Sequence, residues 1–451
     1  MILRNSLEKI PNSQFLIISP KGKLSRDQII HRYKKDIKHA LKGARIVLCL
    51  SDPVVTLPIL AALDGVVEAF VLISPTNTAE SISSLAIRGG FEAILCEEPK
   101  IFKDIEGTPP AFQDLDTLAD SFSPREISGE TQWIMTTSGT TGRPKLVSHT
   151  LVSLIRTTKI ETKRGASVRW GMLYDYTRFA GLQVLLQSVL SGSLLIVPPL
   201  EDQLNNKIKI FIEHDCTHLS ATPTLWRKIV MMPNADKIRL RQATLGGEIA
   251  DDRILSTISS FFPQARVVHI FASTEAGVGF SVADKRAGFP LDYLKNPSLG
   301  VDIKIKNDKL YIRNKHVHYK YFGSDVAFAT KDGWVNTGDT VEIKGDRVLF
   351  RGREDGVINV GGDKVYPEEV ERVLLIHPLV TAARVYAKSN PITGALVAAE
   401  VILTDSNANI KETHKVLQDY TLQMLDRHKV PAIITIVPRF SLNSAGKIVR
   451  K

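Results

Sequence analysis

The chain has 451 residues, 43% of them hydrophobic and 24% charged, with a formal net charge of +10. That length exceeds one small core and fits two or three domains, and the composition is that of an ordinary globular protein. It contains no run of about eighteen apolar residues, the length a membrane-spanning helix needs, and its N-terminal segment mixes charge and Pro without the apolar core of a signal peptide. Cys49, Cys96 and Cys216 stand far apart and fit neither a disulfide framework nor a metal cluster. They read as packed, inert thiols in a reducing cytoplasm. The basic residues are dispersed, and the densest cluster, Arg32 to Lys38, carries Asp36 as well. A solvated helix face explains it better than a nucleic-acid footprint, whereas a basic surface suits small polyanions.

In chain order, Ile29, Tyr33, Ile37 and Leu41 recur at fourfold spacing and predict one helix closed by Gly43. Ile46 to Leu50 reads as a buried strand, followed by a helix from about Val54 and a strand at Val71 to Ser74. The rhythm returns with short apolar strands at Leu194 to Val197, Thr217 to Ala221, Ala243 to Leu245 and Val267 to Phe271. Helices Leu204 to His214, Leu225 to Met232 and Asp252 to Phe262 separate them, which implies largely parallel sheets covered on both faces. After about Ser298, hairpins follow at Lys304 to Arg313 and Val341 to Phe350, with turns at Asn307-Asp308 and Gly345-Asp346. A smaller unit begins at Arg353. Pro367 opens a helix that turns Val370, Val373 and Leu374 inward. Strands Ala382 to Ala387 and Val397 to Leu403, a helix from about Ile410 to Arg427 and strand Ile433 to Val437 complete it. The expected fold is α/β: a large N-terminal domain, residues 1–352, of stacked α/β sheets with a small β-barrel portion, and a small mobile α+β lid, residues 353–451.

Chemistry gathers at a few stations. Thr136-Thr137-Ser138-Gly139-Thr140-Thr141-Gly142-Arg143-Pro144-Lys145 makes a loop rich in backbone N–H and hydroxyl donors, able to wrap phosphate oxygens, with Lys145 adding a cation. Its spacing is not that of a P-loop, and Pro144 would break the helix a P-loop requires. Gly246-Gly247-Glu248 follows a strand, where glycines let a flat ring approach the backbone. Phe271-Ala272-Ser273-Thr274-Glu275 ends the next strand with an aromatic wall, hydroxyls for phosphate and a carboxylate for Mg²⁺. Thr337-Gly338-Asp339 offers a carboxylate to a ribose diol, although alone it reads as an ordinary turn. Gly352-Arg353-Glu354-Asp355 and Asn359-Val360-Gly361-Gly362-Asp363-Lys364 open the small unit, and Ser444-Ala445-Gly446-Lys447 lies near the C-terminus.

In this order the stations resemble the adenylate-forming superfamily of acyl-CoA synthetases, peptide-synthetase adenylation domains and beetle luciferases, from about residue 40 to the C-terminus. The resemblance implies an acid–thiol ligase that adenylates a carboxylic acid with ATP and Mg²⁺ and passes the acyl group to coenzyme A. It assigns the β- and γ-phosphates to Thr137, Ser138, Gly139, Thr140, Thr141, Gly142 and Lys145. Gly247, Glu248 and Phe271 would line the adenine, and Ala272 and Ser273 would belong to the same nucleotide wall. Thr274 would touch the α-phosphate, Glu275 would bind Mg²⁺, and Asp339 and Arg353 would hold the ribose. Asp355 would be the hinge and Lys447 the catalytic lysine. Asn359, Gly361, Gly362 and Lys364 would border the coenzyme A path. An acyl pocket of Tyr174, Phe179, Gly181, Thr222 and Gly246 would suit a flat aryl acid or a medium apolar chain, with Arg178 read as an exposed loop residue ahead of a partner for a substrate carboxylate or hydroxyl. Ala272, Gly356 and Asn359 depart from the usual residues at their positions. Loading of a separate carrier protein is the alternative second step, and luciferase-like oxygenation a more distant one. A non-catalytic binding relative would have eroded Glu275, Asp339, Arg353 and Lys447, all of which are present.

Overall fold

The computed structural model describes residues 2–33, 35–127, 129–137, 144–391, 393–404 and 410–440. These form four sheets. The first has six strands in the order Ala111–Phe112, Ala93–Cys96, Arg45–Cys49, Ala69–Leu72, Gln132–Thr137 and Lys145–His149. All neighbours are parallel except the last pair, a hairpin that frames the predicted phosphate loop. The inner strands are continuous apolar runs, as strands covered on both faces must be. Asp52 caps the helix Pro53–Leu63 by accepting from the Val54 N–H at 2.8 Å. All three cysteines are buried free thiols, and burial pushes Cys49 and Cys216 up to about 12 and Cys96 to about 11.

The eight-stranded sheet positions the site. Its order is Gly277–Val282, Arg266–Ser273, Gln242–Gly246, His218–Ala221, Arg169–Gly171, Leu194–Ile196, Phe15–Ser19 and Gly22–Ser25, antiparallel only at its two edges. Because successive side chains alternate between faces, the parallel register sorts them. Leu219, Ala243 and Val267 share one row, and Ala221 and Leu245 another. These residues pack with Phe211, Trp226, Ile229, Ile254 and Ile258 of helices Leu204–Glu213, Pro223–Ile229 and Asp252–Phe261. The alternate residues point to the other face and, with helix Phe179–Leu190, line a large cavity.

The β-rich portion expected after Ser298 is a five-stranded antiparallel sheet, ordered Phe289–Pro290, Arg347–Arg353, Trp334–Lys344, Lys309–Arg313 and Asp302–Lys306. Asn307 and Asp308 both have positive φ, 51° and 58°, which gives the tight turn whose twist matches a two-residue hairpin. The C-terminal sheet takes Asp363–Val365, Ile358–Val360, Gly394–Leu403 and Val380–Asn390 in order, with Ile433–Ile436 beside Gly394–Leu403. Helix Pro367–Ile376 buries Val370, Val373 and Leu374 against it.

Element types follow the sequence reading, with most ends within about three residues of it, although strand Trp334–Lys344 begins well before the expected Val341. One helix differs: the fourfold pattern from Ile29 to Leu41 is split into Arg26–His31 and Lys35–Ala40. The first piece carries a Ser25–Gln28 capping box and packs on Pro53–Leu63, while the second packs on Leu115–Asp120. Docking on two neighbours breaks a helix whose periodicity alone is continuous. Among the described residues, no helix is long and apolar enough to cross a membrane.

Candidate active site

One cavity of about 1660 Å³ gathers most of the described stations. Thr136 and Thr137 reach it from the end of strand Gln132–Thr137, and Lys145 from the start of the strand paired to it. The Lys145 ammonium lies over the Tyr321 ring at 4.9 Å, a cation–π contact that holds its long side chain. Ser138, Gly139, Thr140, Thr141 and Gly142 lie outside the described residues, as does Lys447.

Gly246 ends its strand, and its carbonyl accepts from the Tyr174 hydroxyl at 3.2 Å; Gly247 follows at φ +83°, a turn that favours glycine. Glu248 lines the cavity but also accepts from the Thr224 N–H at 2.9 Å. Together with the Thr222 hydroxyl, which accepts from Leu225 N–H, it satisfies the open N-terminus of helix Pro223–Ile229. Both residues therefore carry a local structural task beside any ligand contact.

The segment from Phe271 to Glu275 is turned into the cavity by a bulge. Phe271 pairs with Phe280, but Ala272 pairs with Val278, so the ladder loses step between Phe271 and Ala272. The Phe271 ring stacks on Phe280 and Phe350, at 5.1 and 5.3 Å between centroids. Ser273 accepts from Ala276 N–H, and the Thr274 carbonyl accepts from His149 Nε2 at 2.7 Å. Burial pushes His149 down to about 4, so its ring is neutral, and its Nδ1 meets Ser153 Oγ at 3.0 Å. A residue outside every recognised motif thus anchors the Thr274 backbone. Glu275 lines the same wall.

Asp339 and Arg353 are cross-strand partners in the antiparallel sheet. Their charged atoms are 3.9 Å apart, with Asp339 buried and the Arg353 side chain half exposed. Arg353 Nε donates to Asp355 at 3.1 Å instead. Burial raises Asp339 to about 6, and Arg353 only partly opposes it. A buried carboxylate with so little compensation fits the donor pair of a ribose diol.

Two expectations change. Arg178 is not an exposed loop residue: it is half-buried on the cavity wall, where its Nη1 donates to Thr136 Oγ1 at 2.8 Å. Nothing in an Arg preceding a helix announces that contact, which depends on a strand 42 residues away. Gly181 does not line the cavity beside Tyr174, Phe179, Thr222 and Gly246. It lies where a Cβ would collide with the Asp175 carbonyl, so it lets helix Phe179–Leu190 close onto the preceding turn. Asn359, Gly361, Gly362 and Lys364 are exposed and do not line the cavity. The C-terminal domain instead presents Arg372, Leu375, Thr381 and Phe440 to it.

The cavity contains buried polar atoms without partners among the described residues: Thr137 Oγ1, Asp175 Oδ2 and Arg178 Nε. Such atoms are costly unless a polar ligand meets them. Together with Lys145 and Asp339 they fit a nucleotide triphosphate. No group of three metal-ligating side chains occurs among the described residues. A single carboxylate, Glu275, suits Mg²⁺ carried on phosphates, because that ion is usually held by one or two carboxylates plus substrate oxygens.

The AMP-binding enzyme model matches residues 38–318, and the AMP-binding enzyme C-terminal domain model matches residues 369–447. The chain belongs to the AMP-binding enzyme family. Within that family it is 26% identical over 340 residues to the 2-succinylbenzoate–CoA ligase of Bacillus subtilis (strain 168), covering 71% of this chain and 68% of that one. The o-succinylbenzoate coenzyme A synthetase of Bacillus subtilis in complex with ATP and magnesium ion has a similar fold. Its TM-score is 0.74 at 20% identity, over 99% of this chain and 98% of that one. An anthranilate CoA ligase in complex with anthranoyl-AMP aligns with a TM-score of 0.81 at 16% identity, over 99% and 95% of the two chains.

Asp339 supplies a direct check. Its folded pKa lies above the unfolded value of about 3.9, so its contribution to stability is fully present below that value and is lost as pH rises through about 6. Asp339→Asn removes this loss. We expect the variant to melt higher than the parent above about pH 7, by up to about 2–3 kcal/mol, with the gap closing below about pH 4. The same variant is expected to bind ATP at least tenfold more weakly, measured by calorimetry.

Proposed function

We propose that this chain is an ATP-dependent acid–thiol ligase that converts a carboxylic acid and ATP to acyl-AMP and pyrophosphate, then transfers the acyl group to coenzyme A. The observation that carries this reading is the convergence on one cavity of Lys145, Thr274, Glu275, Asp339 and Arg353 with a face of the C-terminal domain. The relatives named as CoA ligases support the choice of acceptor.

In this reading a carboxylate is the nucleophile, so no side chain has to act as a base. The chain's task is to reduce repulsion between two anions and to stabilise charge gathering at the α-phosphorus. Lys145 and the Thr137 hydroxyl would hold the departing phosphates, with Ser138 to Gly142 completing the loop. Thr274, its backbone fixed by His149, would meet the α-phosphate, while Asp339 and Arg353 orient the ribose. Gly247, Glu248, Phe271, Ala272 and Ser273 would form the base-side wall. Mg²⁺ on Glu275 would neutralise phosphate charge as pyrophosphate leaves. The three buried thiols support a cytoplasmic setting.

We further infer a division into residues 1–352 and 353–451 with Asp355 as hinge. Strand Arg347–Arg353 belongs to the five-stranded sheet, whereas Ile358–Val360 belongs to the C-terminal one. Rotation about Asp355 would exchange two faces of the small domain, one for each half-reaction. Phe440, which precedes Lys447 in the chain, lines the cavity. That supports Lys447 as the cation of the adenylation step. The exposed turn bearing Asn359, Gly361, Gly362 and Lys364 would serve the thioester step.

Two experiments follow. With a matching acid the products should be acyl-AMP and pyrophosphate, with acyl-CoA and AMP appearing when coenzyme A is added; ADP and orthophosphate would overturn the reading. Glu275→Gln should lower adenylation about a hundredfold, the scale of losing one preorganised electrostatic group. The second experiment assays the half-reactions separately. Lys447→Ala should lose most adenylation yet still convert supplied acyl-AMP to the thioester. Asn359→Trp should do the reverse, and is a cleaner probe than a bulky residue at Gly361 or Gly362, whose φ of +60° and +102° would add backbone strain. Equal damage to both halves in a folded Lys447→Ala protein would contradict the alternating lid.

A further inference from the structure

The cavity extends well beyond what a nucleotide needs, and the extension runs along the eight-stranded sheet. The row at the Gly246 end is Gly246 and Ile270, with Thr222 lining the cavity just past the end of strand His218–Ala221. One step back along the same face lie Ser220, Thr244 and Val268, and a further step back lie His218, Gln242 and Arg266. From Gly246 to Gln242 the distance is about 13 Å at the ordinary rise of a strand. Helix Phe179–Leu190 roofs this channel with Gln183, Val184 and Gln187.

The chemistry of the floor is unusual for its place. A parallel sheet under a helix ordinarily carries Val, Ile and Leu on that face. Its opposite face does so here, with Leu219, Leu245 and Val267 in the core. The channel face instead carries His218, Ser220, Gln242 and Thr244 beside Trp170 and Val268. Gln242 donates to Thr244 at 3.0 Å, and His218 Nδ1 meets Thr217 Oγ1 at 2.9 Å. Burial, with Arg241 nearby, pushes His218 down to about 4, so the imidazole facing the channel is neutral.

The far end is basic. Arg266 N–H donates to the Arg241 carbonyl, Arg241 Nη1 reaches Ser167 Oγ at 3.5 Å, and Ser167 Oγ donates to the Arg164 carbonyl. The three arginines therefore form one rim, and all three line the cavity. Glu161 pairs with Arg164 at 3.3 Å, while Arg241 and Arg266 have no acidic partner within salt-bridge distance among the described residues.

We propose that the acid is an extended dianion: its reacting carboxyl lies beside Gly246 and Thr274, its body crosses the Ser220–Thr244 floor, and a second anionic group reaches Arg241 and Arg266. This rests on the ligase reading above and narrows the acid class, replacing the flat aryl or medium apolar acid expected from Tyr174, Phe179 and Gly181.

Sebacic and decanoic acids test it, since they share a carbon count and differ in the distal carboxylate. Turnover is read as pyrophosphate release with ATP, and binding separately by calorimetry without ATP. Sebacate should be preferred at least tenfold in both. Arg241→Gln/Arg266→Gln alters two exposed side chains, so its melting temperature should match the parent, and it should collapse the preference toward unity through KM. Decanoate used equally well, a preference that survives the double substitution, or binding of neither acid would overturn the inference. If sebacate binds preferentially but no acid releases pyrophosphate, the ligase reading falls and the channel assignment stands. If decanoate leads in turnover, the reverse holds.

Discussion

The site depends on the register of four parallel strands, Arg169–Gly171, His218–Ala221, Gln242–Gly246 and Arg266–Ser273. Side-chain alternation with period two sends Leu219, Ala243, Leu245 and Val267 to the helices and their sequence neighbours to the cavity. A slip of one residue would bury His218 and Gln242 among Phe211 and Trp226 and expose the apolar set. The hydrophobic core therefore fixes the register, and the register brings Gly246 and the Phe271–Glu275 segment to the same end of the sheet. The bulge after Phe271 then redirects the chain, and His149 ties the Thr274 carbonyl to strand Lys145–His149. That hydrogen bond ties the two sheets together at a backbone oxygen beside the proposed reaction centre.

The price of this arrangement is visible at Asp339. A carboxylate raised to about 6 by burial weakens the empty protein at neutral pH, yet it is what a ribose diol would meet. The unpartnered Thr137, Asp175 and Arg178 atoms follow the same logic. Each is a cost in the free protein that a bound polar substrate would offset.

Much of this was legible from the residues, and the remainder was not for physical reasons. The alternation of short apolar runs with helices, and the turn chemistry of Asn307-Asp308, are local signals, and both elements form where expected. The motif order from Thr136 to Asp355 identified the family without any geometry. The polar channel floor escaped because Ala243 to Leu245 and Thr217 to Ala221 read as buried apolar strands. Which face each residue takes is decided by neighbours far away in sequence. Arg178 and Gly181 were misjudged for the same reason: one depends on Thr136 and the other on the Asp175 carbonyl, and neither contact has a sequence signature. The split between Arg26–His31 and Lys35–Ala40 comes from two docking partners, which periodicity cannot reveal.

The central claim is that this cavity forms an acyl-adenylate reversibly before any thiol is engaged. Acid-dependent exchange of labelled pyrophosphate into ATP, measured without coenzyme A, tests it most directly. The account predicts exchange that requires the acid and Mg²⁺ and continues in the absence of any acceptor. Exchange that needs coenzyme A, or that proceeds equally without an acid, would contradict it.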